Sequence, residues 1–145
     1  MTSKIRQTAM IVANTAELSA FGVGELKTFA VAVKSSHRAP VLTVTGDLDL
    51  RTAPHLVALM ARELRQRPAL LILDLTEADF LGVPAVAAMM TGWRQWGAPS
   101  QLRLVARKKA ILRSIHLTGW DEFVAVYDSL ESAIRETPPL PKLRA

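Results

Sequence analysis

The run Leu70-Leu71-Ile72-Leu73-Asp74-Leu75 constrains the fold more than any other part of this chain. It is apolar on both sequence parities apart from Asp74, which is the pattern of a strand covered on both faces. The chain then breaks into polar residues and reaches Gly82-Val83-Pro84, followed by an alanine- and methionine-rich segment. Glycine tolerates tight backbone geometry, and proline fits the first helical turn because it needs no amide partner there. A central strand therefore delivers the chain to the start of a helix, and a working site is expected on that connection.

The flanking segments read as supports for this unit. Phe29, Val31 and Val33 alternate with wetter positions, and Val41 to Thr45 is a second β-branched run, so a hairpin joins them across the polar break at Ser35 to Pro40. Thr52 is placed to start a helix, with Pro54 in its first turn. Leu56, Met60 and Leu64 form its apolar stripe, Arg62, Glu63, Arg65 and Arg67 its wetter side, and Pro68 its stop. Val83 to about Trp93 predicts a second helix. Leu102, Leu104 and Val105 predict a strand, and Lys108 to Leu117 a third helix ended by Gly119. Phe123, Val124 and Val126 predict a short strand, and Leu130, Ala133 and Ile134 the inner side of a last helix capped by Asp128 or Ser129. Helix-length segments between short strands favour βαβ units and a mixed sheet. Residues 1–24 read as an N-terminal extension, either a flexible arm or a short helix with Leu18 and Phe21 on one face. Residues 25–136 form the domain, and 137–145 a tail after Pro138.

Size and composition narrow the function. The 145 residues suit one core. With no cysteine, disulfides, thiolate metal sites and a thiol nucleophile are excluded. A net charge of +5, from 18 Lys and Arg against 13 Asp and Glu, is below the density of a dedicated nucleic-acid binder. No secretory pattern follows Lys4 and Arg6, and no run approaches the roughly 20 apolar residues of a membrane span. The expectation is a cytoplasmic protein with no membrane insertion and no direct nucleic-acid binding.

The order of local signatures resembles a STAS domain of the bacterial anti-sigma factor antagonist type. The matching residues are Val44-Thr45-Gly46-Asp47-Leu48-Asp49 with Thr52-Ala53-Pro54, Leu73-Asp74-Leu75 with Asp79-Phe80-Leu81, Leu117-Thr118-Gly119-Trp120, and Tyr127-Asp128-Ser129-Leu130-Glu131-Ser132-Ala133. The resemblance spans about Leu26 to Arg135. It implies an α/β fold with a mixed sheet of about five strands and about four helices packed largely on one side. It also implies a non-catalytic protein that binds an anti-sigma factor, in some members a serine kinase, and so regulates sigma-factor-dependent transcription. In phosphorylatable members the kinase modifies a serine or threonine at the start of the helix after the central strand. Here Gly82 stands at the usual aspartate position and Val83 at the phospho-acceptor position. Valine has no hydroxyl, so phosphate cannot be attached there. Thr76 and Thr91 lie nearby in sequence, though not at the matching place.

Each candidate residue has a plainer reading beside the functional one. Gly82-Val83-Pro84 is either a rigid strand-to-helix connection alone or also part of a partner surface without its charge switch. Asp47 and Asp49 suggest an acid pair or metal ligands, but they end a strand around Leu48. The resemblance makes Asp49 and Arg51 interface candidates instead. Asp74 and Asp79 read as hydrogen-bonding groups of the loop. His37, His55 and His116 lie in separate elements, and no nucleotide-binding glycine motif is present. Arg103, Arg107, Lys108, Lys109 and Arg113 read as a solvated face of the third helix, with an acidic partner or nucleic acid as alternatives. Trp93 and Trp96 can share a helical face, and an exposed Trp96 beside the central loop would favour an interface. The expected contact set is Asp49, Arg51, Gly82, Val83, Pro84 and Val86. No catalytic set, metal or cofactor is expected, and a homodimer is compatible with the sequence. The rival reading is a small-ligand or lipid-sensing STAS module in a larger regulatory assembly.

Overall fold

Alternation along the apolar run sets the layers of the fold. The computed structural model describes residues 7–12, 29–35, 39–97 and 99–135. The described elements are β1 (Gln7–Val12), β2 (Ala30–Ser35), β3 (Val41–Leu48), α1 (Ala53–Leu64), β4 (Leu70–Leu81), α2 (Val83–Trp96), β5 (Gln101–Val105), α3 (Lys109–Leu117), a 3₁₀ turn (Trp120–Glu122), β6 (Ala125–Tyr127) and α4 (Leu130–Arg135). The strands form one sheet in sequential order. β1, β2 and β3 pair antiparallel, whereas β3 through β6 pair parallel. Each parallel step is bridged by one of α1, α2 and α3.

Within β4, Leu71, Leu73 and Leu75 join the core shared with α1, α2 and α3, while Leu70 and Ile72 pack with Ala133 and Leu130 of α4 on the other face. Burying a leucine of this kind contributes about 1.5–3 kcal/mol, so both faces of β4 hold the layers together. The expected mixed sheet with helices largely on one side is what forms. The antiparallel β2–β3 hairpin, the stripe of Leu56, Met60 and Leu64, and the left-handed Gly119 (φ 77°) after α3 are all present.

Several local expectations are corrected. Gln7–Val12 is a strand, not a helix or an unstructured arm, and it pairs residue by residue with β2. Leu18 and Phe21 lie outside the described residues, as do residues 137–145. The expected loop after Leu75 is instead the second half of β4. It stays paired to β3 because two bulges absorb one extra β4 residue each, between Asp74 and Glu77 and between Ala78 and Phe80. Asp74 and Asp79 are thus strand residues. Asp74 is buried and its Oδ1 accepts from the Thr76 amide (3.0 Å) and hydroxyl (2.8 Å), bracing the first bulge.

Glu63 is buried rather than on the wet side of α1, because it follows Leu59 and Met60 by four and three residues on the same face. Arg103 is buried as well. In β5 it has the parity of Val105, opposite to Leu102 and Leu104, so it points towards α4 and not onto the surface of α3. Its Nη1 donates to the Ala133 carbonyl at 2.6 Å, and its guanidinium lies 5.3 Å from the Tyr127 ring centre. Phe123 precedes β6 and is exposed, and Ile134 faces outward from α4. Ser129 caps α4 through the Ser132 amide at 3.1 Å.

Candidate partner-binding surface at the strand ends

Parallel pairing brings the C-terminal ends of β3, β4 and β5 to one edge of the sheet, where α/β folds commonly place their sites. The β3 and β4 ends are tied directly. Leu48 pairs with Leu81, and the Gly82 amide donates to the Leu48 carbonyl at 2.9 Å. The β5–α3 connection is tied to the same edge by Lys108, whose ammonium donates to the Ala78 carbonyl (3.1 Å) and meets Asp79 Oδ1 at 3.4 Å.

The β3–α1 loop is organised by Asp49 and Thr52. Asp49 Oδ1 accepts from the amides of Arg51 (2.9 Å) and Thr52 (3.1 Å) and lies 3.2 Å from the Thr52 hydroxyl. That hydroxyl donates to the Asp47 carbonyl at 2.8 Å and accepts from the Asp49 amide at 2.9 Å. Thr52 precedes α1 as expected, but its side chain closes the loop instead of capping the helix. The Asp49 Oδ1 is used in the same way. This side chain therefore shapes the loop that presents Leu50 and the exposed Arg51.

Gly82 is the extended residue before α2 (φ −88°, ψ 152°), followed by Val83 and Pro84 in the first turn. Gly82 itself is buried. A side chain there would meet Phe80 Cε2 at 3.1 Å, so the Phe80 ring lies across the glycine. Val83 is 62% exposed, Phe80 51% and Leu50 68%. Leu50 and Val83 each lie two residues beyond the paired Leu48 and Leu81, so large apolar groups from both connections emerge at the same level. Pro84 and Ala87 are exposed beside them on α2.

The expected contact residues divide accordingly. Arg51, Val83 and Pro84 reach the surface, Asp49 and Gly82 build the loops under it, and Val86 is withdrawn into the core at 1% exposure. Val86 belongs to the inner stripe with Met89, whereas Ala87, four residues after Val83, shares the outer face. Leu50, Phe80 and Ala87 were not among the expected contacts. The helical period could have found Ala87; nothing local distinguishes exposed Phe80 from core. Trp96 is at the opposite end of α2 from Val83, about 20 Å along the helix at 1.5 Å per residue, so it does not adjoin this surface.

The two described histidines have different neighbours. His55 tilts towards Phe29 with ring centres 6.3 Å apart, His116 Nδ1 lies 3.2 Å from Asp121 Oδ2, and His37 is outside the described residues. Among the described residues no three His, Cys, Asp or Glu side chains group as metal ligands, and no helix is long and apolar enough to cross a membrane.

Comparison with known proteins places this geometry. The STAS domain model matches residues 30–133. The anti-sigma-F factor antagonist RsfB of Mycobacterium tuberculosis (strain H37Rv) is 28% identical over 104 residues, covering 72% of this chain and 85% of that protein. The crystal structure of an anti-sigma factor antagonist from Mycobacterium paratuberculosis aligns with a TM-score of 0.67 and 29% identity, over 73% of this chain and 91% of that one. The anti-sigma factor antagonist SpoIIAA in its unphosphorylated form shares the fold, with a TM-score of 0.59 and 16% identity over 73% of this chain and 92% of that one. Strand β1 lies before the matched segment. The chain belongs to the STAS domain family, within the superfamily of anti-sigma factor antagonists.

Proposed function

We propose that this chain binds an anti-sigma factor through the strand-end surface of Arg51, Leu50, Phe80, Val83, Pro84 and Ala87, without a phosphorylation switch at Val83. The observation that carries this reading is the exposure of Val83 (62%) in the first turn of α2, flanked by exposed Phe80 and Leu50. The names of the mycobacterial relatives support the partner class. Burial of the three large apolar side chains supplies affinity, and Arg51, with the Lys108–Asp79 pair nearby, contributes selectivity.

The position corresponding to the family's phospho-acceptor carries an isopropyl group. A phosphoserine would bring about two negative charges to this helix start and repel an acidic partner surface. With Val83 that route is closed, so binding is constitutive or regulated elsewhere. Thr76 is a poor substitute, because its hydroxyl is engaged by Asp74, whereas Thr91 is exposed further along α2. The test is affinity capture from the native cell with identification of the bound anti-sigma factor, then incubation with any kinase recovered and mapping of phosphate by mass spectrometry. Capture of an anti-sigma factor with no binding-sensitive phosphate is expected. Stoichiometric phosphate on Thr91 or Thr76 that abolishes binding would overturn the switch-free reading.

A further inference from the structure

A second concave feature lies away from the strand ends, between the later turns of α2 and the 3₁₀ turn. It is a half-open hollow of about 200 Å³ lined by Met90, Trp93, Arg94, Trp120 and Phe123. Its floor is fixed by the backbone. Gly119 adopts a left-handed conformation after α3, and Trp120 turns back into the core at 1% exposure. Its outer wall is Phe123, which remains 71% exposed although it directly follows the rigid 3₁₀ turn. Met90, Trp93 and Arg94 are three and four residues apart, so a single face of α2 forms the other wall.

Four of these five side chains are apolar, and the fifth is a guanidinium. Among the described residues Arg94 has no carboxylate partner. A cation beside aromatic walls, where water is partly excluded, favours an anion that also carries apolar surface. A cavity of about 150 Å³ holds benzene, so this hollow of about 200 Å³ has room for one ring with a short acidic arm.

The geometry points to a binding site for small aromatic carboxylates, with the ring between Trp93, Trp120 and Phe123 and the carboxylate on Arg94. The site shares none of its lining residues with the proposed partner surface, which it meets at Ala87, one turn before Met90, while Val83 lies about 10 Å away along α2 at 1.5 Å per residue. Its occupancy does not depend on whether an anti-sigma factor is the partner.

The test is titration of the full chain with phenylacetate, with its uncharged analogue 2-phenylethanol, and with acetate, followed by indole and methyl NMR shifts and intrinsic fluorescence. Phenylacetate is expected to move the signals of Trp93, Trp120 and Met90 and to saturate, while acetate does not. Arg94→Gln, on an exposed side chain, should weaken phenylacetate about tenfold, the order of one charge-assisted hydrogen bond, and leave 2-phenylethanol unchanged. Phe123→Ser should weaken both ring-bearing probes. Absence of saturable shifts, shifts confined to other residues, or equal affinity for phenylacetate and 2-phenylethanol would each overturn the assignment.

Discussion

The amide of Gly82 donates to the carbonyl of Leu48 at 2.9 Å, and this bond locks the two connections that carry Leu50 and Val83 into one surface. It continues the β3–β4 ladder one step beyond the Leu48–Leu81 pair, to the residue immediately before α2. The position of Val83 is therefore set by sheet register, not by a mobile loop.

Gly82→Ala tests how that step is built. The backbone there is ordinary extended chain, and the only close neighbour of an added methyl is the far edge of the exposed Phe80 ring. The ring moves aside, and the substitution costs about 0.5–1 kcal/mol, mainly as a poorer helix cap, in urea unfolding. A loss above about 2 kcal/mol would mean that the Phe80 ring is held in place.

Asp49 and Thr52 act as one unit, sharing the bonds that close the β3–α1 loop. Asp49→Ala and Thr52→Val each lower stability by about 1–2 kcal/mol. The double variant loses less than the sum, because either change alone already breaks the shared network. Additive losses in equilibrium unfolding would contradict this.

Gly119→Ala isolates a backbone effect. A methyl group at this position meets nothing within 4 Å, yet φ is 77°. The variant should lose about 1–2 kcal/mol in urea unfolding purely from the left-handed conformation. Gly119→Asn should recover part of it, since asparagine tolerates that region better. An alanine variant as stable as the parent would show that the turn relaxes.

Arg103 anchors α4 from beneath. Its planar guanidinium reaches the Ala133 carbonyl while facing the Tyr127 ring, a combination that a lysine ammonium cannot reproduce. Arg103→Lys should cost about 1.5–3 kcal/mol. Amide exchange should rise first in residues 130–135. A uniform rise across the sheet would place the role of Arg103 elsewhere.

The core of this fold was legible in the sequence because β4 is apolar on both parities and α1 repeats Leu56, Met60 and Leu64 at helical spacing. What escaped detection depended on pairing partners. The polar second half of β4 reads as a loop until β3 is seen to carry it through two bulges. Gln7–Val12 is a strand because β2 offers it an edge, information no local window contains. The error on Val86 was avoidable: the helical period already separates it from Val83 and groups Ala87 with the outer face. Arg103 was legible too, since alternation with Leu102 and Leu104 assigns it to the opposite face of β5; the surrounding basic residues obscured that reading.

The most direct measurement is the affinity of the purified chain and its Val83→Asp variant for the anti-sigma factor it captures. An aspartate in the first turn of α2 is compatible with the helix dipole, so the variant folds. It should bind at least about 100-fold more weakly, as expected when a charge enters the apolar centre of an interface. Trp96→Ser, at the far end of the same helix, should leave affinity unchanged. A folded Val83→Asp variant that binds as tightly as the parent would contradict the proposed surface.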